Sequence, residues 1–282
     1  MEQFEVASWM RPTQQDRIPA VDLQTDRAHP ARVYDYMLGG KTNFAVDREA
    51  GDRIIAEWPN SRAAACAARA VMHRMTRRLA EVHGIRQFLD VGTGIPTAPN
   101  LHEIAQRVAP AARVVYVDND PIVLAHARAL LTSTPEGRTA YIDCDLRDPE
   151  KLLVEPALLD TLDLSQPVAL TLINIVHFLS DEAVLPLVAH LLDVLPVGSF
   201  LALTAGTADS APEQAEIASR RYREAGIENH LRPRAGIERF FAGLELDDPG
   251  VVLINRWHPE LDDGPVLADH EVMAYAGLAR KP

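Results

Sequence analysis

From residue 87 onward, short apolar runs alternate with segments of helical period, and the turns between them are brief. The runs at 88–91, 113–117, 139–142, 168–173 and 200–203 read as strands. Leu101, Ile104, Ala105 and Val108 mark the helix after the first strand, because three- and four-residue steps put apolar side chains on one face. Asp120-Pro121 and Asp148-Pro149 each open a helix: aspartate accepts a free amide of the first turn, and proline needs no partner there. Ser180 starts another, with Val184, Leu187, Val188, Leu191 and Leu192 on one face, and residues 212–225 form one closed by Gly226. Strands separated by helices pair in parallel, so the chain is committed to an α/β architecture, a Rossmann-like open sheet covered on both faces. Residues 251–257 and 272–279 depart from this pattern. They are strand-like, and their polar, helix-free link favours an antiparallel final pair.

Three stretches precede the sheet. Residues 1–30 are polar and proline-punctuated, an extension with a short helix expected near Trp9. Residues 31–44 predict a short helix stopped by Gly39-Gly40, where glycine supplies the left-handed residue. Residues 61–82 carry Ala64, Ala68, Val71, Met75, Leu79 and Val82 at helical spacing before Gly84. Residues 31–84 are therefore expected to form a helical lid or cap on a domain built by 85–282. Arg69, Arg74, Arg77 and Arg78 read as a solvated face complementing the helix dipole.

The first strand ends in Asp90-Val91-Gly92-Thr93-Gly94. Glycines between a strand and a helix let the backbone approach a ligand closely and present free N–H groups to it. In open α/β sheets ligands bind at the carboxyl ends of the strands, where the strand order reverses. Asp118 ends the second strand, 26 residues beyond Gly92, where a carboxylate can accept both ribose hydroxyls of an adenosine ligand. The competing readings are a tight turn without a ligand and a solvated carboxylate. A nicotinamide dinucleotide would want Gly or Ala where Thr97 stands, which weakens that ligand without removing it.

Net charge narrows the partners. With 28 Lys+Arg against 40 Asp+Glu, the chain carries −12 at pH 7, against a general nucleic-acid binder, whose surface must neutralise phosphates. Cys66 and Cys144 form neither a CxxC pair nor a zinc spacing, as in a reducing compartment. The first eleven residues lack a basic-then-apolar leader, and the apolar stretch 168–179 is interrupted by Asn174 and His177 and is too short to span a bilayer. A cytoplasmic protein without membrane or nucleic-acid partners is expected. Ten histidines form no metal-binding motif, so no metal is expected, and no Gly-x-Ser-x-Gly supports a hydrolase.

The strings Arg32-Val-Tyr-Asp-Tyr-Met-Leu-Gly-Gly-Lys41 and Phe88-Leu-Asp-Val-Gly-Thr-Gly-Ile-Pro-Thr97 resemble the bacterial S-adenosyl methyltransferase family. The likeness continues through 117–121, 143–149 and 275–281, about 250 residues in all from Ala31 onward. The resemblance implies a class I methyltransferase domain with a seven-stranded sheet and an antiparallel last strand. It implies S-adenosylmethionine over Gly92 and Gly94, with Asp118 on the ribose, and adds Asp90, Thr93 and Asn119 to the cofactor-binding set. Asp145 and Leu146 would border the adenine, and Asn174 the methionine or methyl end. Pro96 stands at the third glycine position of the general pattern and removes an N–H donor there.

Two further groups complete the expectation. His177 is a candidate general base for an acceptor hydroxyl or amine, the competing reading being a packed, hydrogen-bonded imidazole. Tyr34, Tyr36, Lys41, Asn43 and Phe44 are candidates for a lid over the cofactor or acceptor, the competing reading being a helix packing its aromatics onto the domain. The expected activity is methyl transfer to a small-molecule acceptor. The alternatives are a non-catalytic S-adenosylmethionine- or nucleotide-binding protein and a nicotinamide-dependent oxidoreductase.

Overall fold

Three helices come first: α1 (Pro30–Met37), α2 (Ala45–Glu57) and α3 (Ser61–Glu81). The alternating region then runs β1 (Gln87–Val91), α4 (Leu101–Val108), β2 (Arg113–Asp118), α5 (Pro121–Leu130), β3 (Arg138–Asp143), α6 (Pro149–Leu153), α7 (Pro156–Thr161), β4 (Ala169–Ile173), α8 (Asp181–Asp193), β5 (Phe200–Gly206) and α9 (Pro212–Glu224). Two short strands, β6 (Glu245–Leu246) and β7 (Val252–Leu253), precede β8 (Ala274–Arg280). This computed structural model describes residues 23–130, 132–262, 264–265 and 267–282, so the helix expected near Trp9 lies outside the described residues.

The sheet order is β3-β2-β1-β4-β5-β8-β6, with β7 also pairing β8. Pairings from β3 through β5 are parallel, and β8 is antiparallel to β5, β6 and β7. The expected antiparallel end is therefore present. The strand count is eight instead of seven, because β6 and β7 add two two-residue strands to β8. After β1 the chain moves outward to β2 and β3 and then returns to β4, so the order reverses between β1 and β4. That crevice, at the strands' carboxyl ends, is where the glycine turn sits.

Alternation along the strands divides the core into two layers. Leu89, Val115, Leu170 and Leu201 face Leu152, Leu158, Val184 and Leu191 of α6–α8. Phe88, Val114, Ala169 and Ala202 face Val71, Met75, Leu79 and Leu101 of α3 and α4. Both faces are dry, which explains why the strands read as continuous apolar runs. A separate small cluster joins Val33, Met37, Ala50, Ile54 and Ala65 to Ile227, so α1 and α2 pack on the end of α3 and the segment after α9. Most of α3 belongs with the sheet.

Two local readings are corrected. Residues 251–257 are not one strand: β7 stops at Leu253, residues 254–256 turn, and Trp257 is fully buried. Arg74 explains the stop, its Nε donating to the Trp257 carbonyl and its Nη2 to that of Ile254, each at 2.8 Å. Arg74 also pairs with Asp262, and Arg78 with Asp247, so these two arginines of α3 are not part of a solvated face, whereas Arg77 is exposed.

Candidate functional site

The turn after β1 is fastened to β2. Gly92 and Thr93 donate their amides to the Val117 carbonyl, at 2.8 and 3.2 Å, and the Thr93 hydroxyl donates to the Asp90 carbonyl at 3.0 Å. Gly92 and Gly94 take φ of +75° and +68°, a region costly for any side chain. Their surroundings differ. A Cβ on Gly92 would lie 2.6 Å from Cγ1 of Ile175, whereas one on Gly94 would have no neighbour within 4 Å, because that glycine faces open space.

Asp118 sits at the centre of this arrangement, 7% exposed. Its Oδ2 accepts the Gly94 amide at 2.8 Å and its Oδ1 the Asp120 amide at 2.9 Å. Burial pushes its carboxyl up to about 6, against the pull of these N–H donors. Each oxygen keeps acceptor capacity for a ligand hydroxyl. Asp90 accepts the Thr171 hydroxyl at 2.6 Å and is also raised by burial. Asn119 donates to Asp145 at 2.8 Å, and Arg147 holds the Asp145 carboxyl down at about 2. Leu146 is buried beside them.

Asn174 follows β4 with a φ of +55°. Its amide donates to the Thr204 hydroxyl at 2.9 Å, which in turn donates to its side-chain oxygen at 3.0 Å. These two bonds hold the residue in an otherwise unfavourable conformation at the mouth of the crevice. A single cavity of about 790 Å³ is lined by Asp90, Gly92, Thr93, Gly94, Asp118, Asn119, Asp145, Leu146, Asn174 and His177.

His177 donates nothing through Nδ1: that atom accepts the Gly206 amide at 3.3 Å, which assigns the ring proton to Nε2. Burial, with the nearby Arg232 cation, lowers its pKa to about 3. The ring leans on Phe178, which meets Tyr222 edge-on.

The N-terminal group divides. Tyr34 lines the cavity, its hydroxyl donating to the Ala65 carbonyl at 3.0 Å. Tyr36, Lys41, Asn43 and Phe44 do not line it. Tyr36 donates to Asp52 at 2.6 Å with its ring under Arg62, and Lys41 is exposed. The Asn43 side chain and the Thr42 amide both donate to the buried Asp35, closing the glycine turn on itself, and Phe44 lies beneath Arg32. These four residues belong to the α1–α2 segment and are not brought to the cavity.

Two features escaped sequence reasoning. Arg32, 1% exposed, approaches Asp120 at 3.4 Å and Asp47 at 3.8 Å, while His29 reaches Asp120 at 3.1 Å. This cluster ties α1 to the end of β2, two residues from Asp118. Arg69 projects from α3 into the cavity, and its signal was available in sequence. It stands among Ala65, Ala68 and Met72, small and apolar residues of the buried face.

Comparison with known proteins agrees with this geometry. The family model described as S-adenosyl methyltransferase matches residues 16–282. A DUF574 family protein from Streptomyces avermitilis is 51% identical, with a TM-score of 0.89 over 93% of this chain and 100% of its own. A Thermobifida fusca protein provisionally described as a methyltransferase is 41% identical, with a TM-score of 0.85 over 94% and 99%. The plantazolicin methyltransferase BpumL, solved with SAH, shares the fold at 12% identity and a TM-score of 0.51, over 89% of this chain and 95% of that one. No curated protein matches. A family model spanning almost the whole chain, over a fold with its glycine turn at the point of strand reversal, leaves one conclusion: the chain belongs to the S-adenosyl methyltransferase family and is an S-adenosylmethionine-dependent methyltransferase.

Proposed function

We propose that the cavity at the β1/β4 reversal takes both the cofactor and a small, largely apolar acceptor, and that α1 and α2 form its cap. The observation that carries this reading is the open volume above Gly94, bordered by the paired Asp118 and walled by α1, α3 and α9. The donor set fits an adenosine compound: Asp118 and Asn119 for the ribose, Asp145 and Leu146 for the adenine edge, Asp90, Gly92, Thr93 and Gly94 along the turn, and Asn174 toward the reacting end. When bound, S-adenosylmethionine supplies an electrophilic methyl group on a sulfonium centre.

The rest is orientation and exclusion of water. Met37, Ile54, Trp58, Phe178, Tyr222 and Leu231 also border the cavity, a wall that suits a flat apolar or aromatic acceptor. A volume of about 790 Å³ falls within the range of small-ligand pockets. His177 is read as a neutral wall residue that offers Nε2–H as a donor. A base is not its role here, because Nδ1 is occupied and burial opposes the imidazolium. Among the described residues no helix is long and apolar enough to cross a membrane. The two free cysteines, Cys66 and Cys144, support a cytoplasmic setting.

The test is calorimetric titration with S-adenosylmethionine, S-adenosylhomocysteine and NAD after removal of co-purified ligand. Saturable binding of the two adenosyl compounds alone is expected, and binding of NAD alone would overturn the placement.

A further inference from the structure

Among the described residues three arginines are buried, Arg32, Arg74 and Arg232, and each faces a carboxylate. Arg32 approaches Asp47 and Asp120, Arg74 pairs with Asp262, and Arg232 with Asp181. The half-buried Arg69 differs. Among the described residues, no carboxylate oxygen lies within 4.0 Å of its nitrogens. One guanidinium nitrogen, Nη2, donates to the Thr97 and Pro99 carbonyls, the latter at 3.0 Å. Among the described residues its Nε is buried without a partner and its Nη1 makes no hydrogen bond. Burial lowers the pKa of this group, while the nearest acidic neighbours, Tyr34 and Asp90, act on it only at a distance. Asp90, whose Oδ1 accepts the Thr171 hydroxyl, attracts Arg69 only through space, with no oxygen in contact with the guanidinium.

A half-buried guanidinium with a buried, unpartnered Nε and no carboxylate in contact is an unfavourable arrangement unless a ligand supplies the charge. The place of Arg69 says which charge. Its two carbonyl anchors, Thr97 and Pro99, lie immediately past Pro96, where the turn lacks an amide donor. It lines the same cavity as Gly92, Gly94 and Tyr34. Asp118, Asp145 and Leu146, by contrast, belong to β2 and to the loop after β3, across the turn.

We propose that Arg69 binds the α-carboxylate of the amino-acid end of the cofactor, its forked N–H groups replacing the amide that Pro96 removes. This rests on the cofactor placement proposed above. A carboxylate on the acceptor offers the same chemistry, and the experiment separates the two sources.

Wild-type protein, Arg69→Met and Arg69→Lys are titrated calorimetrically with S-adenosylhomocysteine and with 5′-methylthioadenosine, which keeps the adenosine and lacks the amino-acid end. Arg69→Met is expected to lose on the order of 30-fold in affinity for S-adenosylhomocysteine, as for a lost charge-assisted pair. Its affinity for methylthioadenosine should stay within about twofold, and Arg69→Lys should fall between. Equal losses for both ligands would make Arg69 a support for the 97–99 turn and overturn the proposal. No loss for either would overturn it too. Failure of the wild-type protein to bind either nucleoside would instead remove the cofactor placement on which the assignment rests.

Discussion

Asp118 and Gly94 are joined across the crevice by a 2.8 Å hydrogen bond from the glycine amide to the carboxylate. The bond couples the end of β2 to the turn after β1, so the residue proposed to hold the ribose also sets the conformation of the turn that the cofactor would lie on. Ligand affinity should therefore follow the charge of Asp118. With its carboxyl at about 6, the group is ionised at neutral pH and protonated in mild acid. Hydroxyl donors prefer the ionised form, so affinity for S-adenosylhomocysteine is expected to be flat above about pH 7 and to fall by up to about tenfold per unit below 6. Calorimetry from pH 5 to 8, in steps of about half a unit, reads this directly, and Asp118→Asn should give a weaker, pH-independent affinity.

The two glycines of the turn should fail in different ways. Gly92→Ala places a methyl group 2.6 Å from Ile175 at positive φ, and a stability loss of about 3 kcal/mol is expected. Gly94→Ala meets no atom within 4 Å and should lose only about 1 kcal/mol. Its methyl group would occupy the ligand's space, so S-adenosylhomocysteine affinity should drop by about tenfold or more. Urea unfolding and titration of the same two proteins separate the effects.

Removal of Arg32 takes the buried cation from two buried carboxylates, Asp47 and Asp120, leaving them only their N–H donors and His29. Arg32→Met is expected to destabilise by about 3–5 kcal/mol, and Asp120→Asn in the same chain should recover part of that loss. Limited proteolysis is the second readout. Cleavage should begin in α1 and α2, whose attachment to β2 this cluster provides.

The imidazole of His177 should not titrate near neutrality. Its pKa of about 3 keeps it neutral from pH 5 to 8, and nitrogen-15 NMR should report protonated Nε2 and bare Nδ1 throughout. The unfolded chain binds that proton near 6.5, so His177 contributes stability above that pH and loses it progressively as pH falls toward about 3. An ionisation near 6.5 in the folded protein would restore the general-base reading.

Much of the fold was legible because both sheet faces are dry and the helix-opening pairs are explicit. Asp148 accepts the Lys151 amide, and Asp120 the Ile122 amide, as their Asp-Pro contexts imply. The carboxylate at the end of β2 was legible for the same reason: strand end, glycine turn and acid are sequential signals. α2 was not, since it starts at Phe44 with no conventional capping side chain and carries Gly51 in its interior. That glycine is needed because the Tyr36 ring passes 2.6 Å from where its Cβ would stand. The distinctive string from Tyr34 to Phe44 invited a lid role for Tyr34, Tyr36, Lys41, Asn43 and Phe44. Most of its signal comes instead from Asp35 and Asp47 gathering the segment's own donors. The arginines of α3 mislead for a tertiary reason: their partners, 169 to 188 residues away, have no local trace.

Strand β8 lies between β5 and the short β6 and β7, yet it is synthesised after all of them. Until Ala274–Arg280 leaves the ribosome, the wholly buried β5 has one open edge of unpaired amides and carbonyls, the kind of edge through which chains pair with one another. The same late residues finish the cavity wall, because Met273 receives the Thr207 amide and Ala274 pairs with Gly206, itself bonded to His177. A chain cut short before Ala274 would therefore have neither a closed sheet nor a closed pocket, and its fate would rest with chaperones and proteases.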